Sequence, residues 1–211
     1  MIARPRQEHL RVLISGAGAG IGFACASAFA ACGAELILCD HDAEALTKVS
    51  ELLGAYSRYC DVVSDSSVHI FAAQMSQDFE SFDVLINAAG NGFVRALGMV
   101  RMAKELLPLI RKGSGARLII NIAPCCEPKT RHPLFPHASS QAGFHQLSDG
   151  LAAQVKGSSI GVAMVRPKPR PAPARQHIDC GFDATARDIV QIVRAHRPQW
   201  HPRIVSTQKR A

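Results

Sequence analysis

The sequence predicts an α/β fold: a doubly wound parallel sheet held between two layers of helices. Short apolar runs recur along the chain, at residues 11–14, 35–40, 83–87, 117–122 and 160–165. Longer stretches with helical spacing of apolar residues lie between them, bounded by capping residues. Runs that are apolar throughout suit a parallel sheet covered on both faces, since neither face of such a strand meets water. At 211 residues, 47% hydrophobic and 19% charged, the chain has material for one sizeable domain, expected to span 1–211.

The first strand runs into Ser15-Gly16-Ala17-Gly18-Ala19-Gly20-Ile21-Gly22, and a small-residue helix is expected over 23–32. Each glycine costs backbone entropy, and close approach of a ligand to the main chain is a reason to bear that cost. A strand, a tight turn and a helix with outward-facing N-terminal amides form a cradle for pyrophosphate, because the helix dipole and its unpaired N–H groups favour an anion. The turn therefore points to a dinucleotide, with Gly16, Gly18, Ala19, Gly20, Ile21 and Gly22 around its phosphates.

Gly33 closes this helix, and 35–40 is a buried strand. Asp42 caps a helix over 43–53 that Gly54 ends. A short strand is expected near Tyr59-Cys60, followed by Asp61-Val62 and a helix from Ser64 or Asp65 to about residue 78. The strand at 83–87 leads into Ala88-Ala89-Gly90. Then come a helix over 94–110, the strand at 117–122, a helix over 139–155 and the strand at 160–165. Beyond a proline-rich and basic segment at 166–176, residues 184–195 read as helix and 203–206 as strand.

Asp40 ends the second strand, where a dinucleotide fold places the group that reads the adenosine ribose. A carboxylate there accepts hydrogen bonds from both ribose hydroxyls and repels a 2′-phosphate, and the glycine turn holds no Arg or Lys to offset that repulsion. The cofactor expected is NAD rather than NADP. The alternative is a strand-end aspartate acting as a turn or helix cap.

Net charge is +7 and the sequence pI is near 9.3. A basic surface attracts polyanions, yet the sequence offers no aromatic interleaving and no recognition motif, so nucleic-acid binding is not expected. No run approaches the roughly twenty apolar residues of a membrane span, and the N-terminus lacks the apolar core of a secretory signal. Seven cysteines, at 25, 32, 39, 60, 125, 126 and 180, form no CxxC pair. Reduced thiols in a cytoplasmic protein are the expectation. Cys125, Cys126, His132 and His145 fit no familiar metal spacing, so no metal is expected.

With the glycine turn, Asp40, Asp61-Val62 and Asn87-Ala88-Ala89-Gly90 in this order, the chain resembles the short-chain dehydrogenase/reductase family from Arg11 to about Pro167. The resemblance implies a Rossmann-like three-layer α/β/α fold. Residues 15–22 resemble the family's Thr-Gly-x-x-x-Gly-x-Gly turn. Asp61 and Val62 match its pair bordering adenine, and Asn87, Ala88, Ala89 and Gly90 match its Asn-Asn-Ala-Gly.

The catalytic positions that the resemblance implies hold other residues. Where the family has Tyr-x-x-x-Lys, this chain has His137 and Gln141. The family serine, thirteen residues before the tyrosine, falls on Pro124, and the family's helix asparagine on Arg95. A phenol titrating near pH 10 needs a cation beside it to move a proton in the neutral range. An ammonium at about 4 Å supplies on the order of 4 kcal/mol at an effective dielectric of 20, nearly three pKa units. Gln141 is neutral, and Pro124 has neither a hydroxyl nor an N–H to polarise a carbonyl. An imidazole at 137 could carry a proton without such help, with a surface or capping role as the alternative. Pro167-Lys168 replaces the family's Pro-Gly after the sixth strand, and alternating prolines through Pro173 favour a stiff path in place of a mobile substrate loop.

The leading expectation is thus an NAD-binding protein with a degenerate catalytic site, serving as a binding or partner subunit in a homo-oligomer or beside an active relative. The helix bearing Met99, Val100, Met102, Leu106, Leu107 and Leu109 is its candidate interface, with core packing as the alternative. A second expectation is an NAD-dependent oxidoreductase using His137 as acid and base. A polyanion-binding module is the third.

Overall fold

The computed structural model describes residues 10–90, 92–123, 135–167 and 181–197, with the backbone path alone for 92–95 and 135–141. Six strands form one parallel sheet: β1 (Arg11–Ser15), β2 (Glu35–Asp40), β3 (Tyr56–Tyr59), β4 (Val84–Asn87), β5 (Arg117–Ile122) and β6 (Ile160–Val165). Their order is β3-β2-β1-β4-β5-β6, so the chain reverses its winding between β1 and β4. The central strands β1, β2, β4 and β5 are buried almost throughout, as continuous apolar runs require. The register pairs Ser15 with Cys39 on one side and with Asn87 on the other, which brings the C-terminal tips of β1, β2 and β4 level. A crevice at the switch point follows from that alignment.

Helices α1 (Gly20–Ala31), α2 (Ala43–Leu53) and α6 (Phe182–His196) cover one face, packing around Val12, Ile14, Leu36 and Leu38. Helices α3 (Asp65–Asp78), α4 (Gly92–Lys112) and α5 (Phe135–Gln154) cover the other, around Leu13, Ile37, Leu85 and Ile119. The opposite end of the sheet is tied by charge. Buried Asp83 accepts the Arg11 backbone N–H at 2.8 Å and pairs with the buried guanidinium of Arg197 at the end of α6. Among the described residues no helix is long and apolar enough to cross a membrane.

Several sequence expectations need correction. Helix α1 starts at Gly20 rather than at 23, because the turn is finished by Gly20 itself at φ +56° and Phe23 N–H already reaches the Ala19 carbonyl at 3.2 Å. The third strand lies at Tyr56–Tyr59 and Cys60 follows it, since this edge strand has one neighbour and carries polar, half-exposed residues. Helix α5 starts at Phe135, four residues before the expected start at 139. Position 137 therefore belongs to its first turn, with Pro136 tolerated there because first-turn amides need no intrahelical partner. The apolar side of α4 is not free for a subunit interface. Met99, Met102, Leu106, Leu107 and Leu109 are buried inside this chain and Val100 is half-buried, between the sheet and the flanking helices. The expected strand at 203–206, and Pro124, Cys125, Cys126, His132, Cys180 and the segment beyond Pro167, lie outside the described residues.

Candidate functional site

The glycine turn is shaped by contacts that leave no room for side chains. Gly16 takes φ +72°, and a Cβ there would stand 2.6 Å from the Ala89 Cα, so the turn lies directly against the exit of β4. At Gly22 a Cβ would meet the Gly16 carbonyl oxygen at 1.9 Å, so the first turn of α1 rests on the loop before it. The Gly16 and Ala17 amides donate to the Cys39 carbonyl at 2.8 and 3.2 Å, and the Gly18 amide donates to Asp40 Oδ2 at 2.9 Å. The amides of Gly20, Ile21 and Gly22 precede the first intrahelical bond of α1. Its N-cap, Ala19, offers no side-chain cap, and its first turn carries no acidic residue.

These elements line a cleft of about 340 Å³ at the C-terminal tips of the strands. Gly16, Gly18, Ala19, Gly20 and Ile21 form its floor, Asp40 with His41, Asp42 and Ala45 one end, and Ala88, Ala89 and Gly90 the inner wall. Pro167 and Phe182 close the far side, the Phe182 ring standing 3.5 Å from where a Gly20 Cβ would be. No Lys or Arg lines the cleft among the described residues, so the partial positive charge on its floor comes from main-chain amides.

Asp40 is 7% exposed, and its carboxylate is already engaged. Besides the Gly18 bond at Oδ2, Oδ1 accepts the Asp42 N–H at 3.0 Å and lies 2.9 Å from His41 Nδ1. The cap reading of Asp40 thus describes bonds that exist, alongside any part in ribose selection. Gly22 sits beneath the cleft rather than on its wall. Asp61 and Val62 also stand apart from the described lining: Asp61 Oδ1 accepts the Val63 N–H at 2.9 Å in the turn before α3, and Val62 is buried against Gly98 of α4. Asn87 is buried behind the cleft. Its Nδ2 donates to Asn121 Oδ1 at 2.9 Å, Asn121 Nδ2 donates to Ser148 Oγ at 3.0 Å, and this polar chain ties β4 and β5 to α5.

Positions 137 and 141 lie one helical turn apart at the start of α5, and position 95 lies near the start of α4. Sequence reasoning did not name His41, Asp42, Ala45, Pro167 or Phe182 as site residues, although all line the cleft. His41 follows the expected ribose-reading residue directly, and that adjacency was the one available signal. Phe182 comes from the far end of the chain and leaves no local signal near the glycine turn.

The sequence profile of the short chain dehydrogenase family matches residues 11–179. The chain belongs to that family. Among curated relatives of the chain is the rhamnolipid-biosynthesis 3-oxoacyl-(acyl-carrier-protein) reductase of Pseudomonas aeruginosa. It is 27% identical over 205 residues, with 85% of this chain and 80% of the reductase covered. Solved structures agree in fold. A metagenomic short-chain oxidoreductase in complex with NADP superposes with a TM-score of 0.70 at 21% identity, covering 89% of this chain and 90% of its own. A short-chain dehydrogenase/reductase from Burkholderia phymatum in complex with NAD gives 0.68 at 21% identity, covering 91% and 82%. Both cofactors therefore occur among the fold neighbours.

Proposed function

We propose that this short-chain dehydrogenase relative binds NAD through the glycine-turn cleft and lacks the family's proton-transfer machinery, so that it serves as a binding or partner subunit. The observation that carries this reading is the start of α5. Where the resemblance puts a tyrosine and a lysine one turn apart, the helix has His137 and Gln141. The adjoining serine and asparagine positions fall on Pro124 and Arg95.

The cleft residues fit a dinucleotide. The uncapped start of α1, free of acidic side chains, suits a pyrophosphate held by the amides of Gly20, Ile21 and Gly22. Asp40, at the end lined by His41 and Asp42, suits an adenosine ribose with free hydroxyls and disfavours a 2′-phosphate. Ala88, Ala89 and Gly90 present small side chains beside the turn, with Asn87 anchoring their strand. Asp61 and Val62 are the residues that the resemblance puts beside adenine, and the Asp61 Oδ1 bond to the Val63 N–H holds that turn in shape. A bound nicotinamide supplies hydride chemistry. A neutral amide at 141 does not supply the field by which the family's lysine brings a phenol into the neutral range, so proton transfer of the family's kind has no counterpart here, and an imidazole at 137 is the one alternative carrier the reading leaves.

Buried free thiols at Cys25, Cys39 and Cys60 support a cytoplasmic setting. One continuous sheet shared by all described elements supports reading 1–211 as a single domain.

Calorimetry with NAD, NADH and NADP, followed by a hydride-transfer assay over simple alcohols and carbonyls, tests the proposal. Expected are saturable NAD and NADH binding and no turnover. Turnover that vanishes in His137→Ala while NAD affinity persists would establish the oxidoreductase reading instead. Size-exclusion runs, alone and mixed with an active relative, test the subunit role: a monomer in every run removes it.

A further inference from the structure

Phe182 brings the only phenyl ring into the described lining of the cleft. It opens α6, and that helix is fixed behind it. Ala186, Ile189, Val190 and Val193 are buried in the core that α6 shares with α1, and Arg197 ties its far end to Asp83. The ring meets the floor with its tip, since Cε2 and Cζ are the atoms nearest to where a Gly20 Cβ would be, at 3.5 and 3.9 Å. Such edge contact leaves the two faces of the ring beside the floor rather than pressed onto it. The side chain is half-buried, so part of this surface is open to a ligand.

With an adenosine at the Asp40 end and phosphates over the start of α1, the other half of a dinucleotide runs toward Pro167 and Phe182. NAD and NADH differ in that half alone. The ring of NAD is a planar pyridinium with a positive charge, and the ring of NADH is a neutral dihydropyridine. Charge at this end suits the cation. No Lys or Arg lines the described cleft, exposed Asp183 follows Phe182, and Arg166, just before Pro167, lies with Nη2 3.0 Å from His145 Nε2. An aromatic face attracts a cation through its quadrupole and gives a neutral ring no such term. We propose that Phe182 makes this cleft selective for the oxidised dinucleotide, its ring face meeting the pyridinium of NAD. The inference rests on reading the cleft as a dinucleotide site and adds which redox form it holds. In a binding subunit without turnover, that preference ties occupancy to the ratio of NAD to NADH.

The test is calorimetric titration of the full chain, of Phe182→Leu and of Phe182→Tyr with NAD and with NADH. Leucine keeps apolar bulk against Gly20 and removes the aromatic face, whereas tyrosine keeps the face. Matching melting temperatures verify that both variants are folded. Expected in the wild-type chain is NAD binding about three- to thirtyfold tighter than NADH binding. That ratio should fall to within about twofold of unity in Phe182→Leu and persist in Phe182→Tyr. A wild-type chain that holds NADH as tightly as NAD, or a ratio that survives in Phe182→Leu or is lost in Phe182→Tyr, overturns the role of Phe182 and leaves the cleft assignment standing. A wild-type chain that binds neither form overturns the cleft assignment and this inference with it.

Discussion

Helices α1 and α2 both leave the C-terminal tips of strands on one face of the sheet, yet only α2 completes its own first turn. Asp42 accepts the Ala45 N–H, Glu44 adds negative charge beside the dipole, and Gly54 closes the other end at φ +62°. Helix α1 has Ala19 as its N-cap in extended backbone, φ −155° and ψ 172°, with no side-chain cap and no acid in its first turn. The conformation at Ala19 is one in which Ser, Thr, Asp or Asn normally sits. Stability alone favours such a cap, and its absence beside a glycine cluster leaves amides that suit the pyrophosphate of the proposed dinucleotide. The difference between the two helix starts separates a structural helix from the proposed binding helix more sharply than the glycine count does.

The largest expected effect breaks the binding side of that comparison. Gly22→Ala brings a methyl into the Gly16 carbonyl, where the ideal Cβ lies 1.9 Å from oxygen and 2.6 Å from carbon. Both contacts are backbone, so the turn must move as a whole. We expect about 3 kcal/mol of lost stability in denaturant unfolding and no measurable NAD binding in the folded fraction. A variant with wild-type stability and affinity would show that α1 does not rest on the turn as described.

Ala19→Asp converts α1 into a copy of α2. The backbone already suits an N-cap, and a carboxylate there can accept from the amides that otherwise await an anion. The fold should gain up to about 1 kcal/mol, read as a higher melting temperature. NAD affinity should fall by at least about tenfold, since the new charge occupies and repels the phosphate position. Stabilisation together with lost binding is the signature sought. Retained NAD affinity would mean that the phosphates, if bound, lie elsewhere.

What could be read in advance follows the same division. The bounds of α2 were legible because both of its caps are written in the sequence, at Asp42 and Gly54. Strands β5 and β6 were legible as apolar runs of strand length. The start of α1 was not, because its opening residues are the glycines of the turn rather than a conventional cap. Strand β3 was misplaced since an edge strand with exposed Tyr59 carries no apolar run. On α4 a broad apolar side looked available to a partner. Only the packing of α3 and α5 on either side of it shows where that surface goes. Among the residues named from local pattern, Gly16, Gly18 to Ile21, Asp40 and Ala88 to Gly90 line the described cleft, whereas Gly22, Asp61, Val62 and Asn87 do not. Phe182 reaches Gly20 across the fold from α6, and pairings that distant leave no trace in spacing.

The smallest effect concerns the structural helix itself. Asp42→Ala removes the cap of α2, which in an exposed position costs about 1 kcal/mol. The Asp42 main-chain N–H still donates to Asp40 Oδ1 at 3.0 Å, so the carboxylate stays aimed into the cleft. NAD affinity should therefore change by no more than about twofold, even though Asp42 lines the same end of the cleft as Asp40. NADP should bind somewhat better, because one of the two carboxylates facing a 2′-phosphate is gone. This pairs a modest stability loss with a narrowed preference for NAD over NADP. If Asp42→Ala instead abolished NAD binding, α2 would have to be counted with α1 as a binding helix, and the contrast between the two starts would fail.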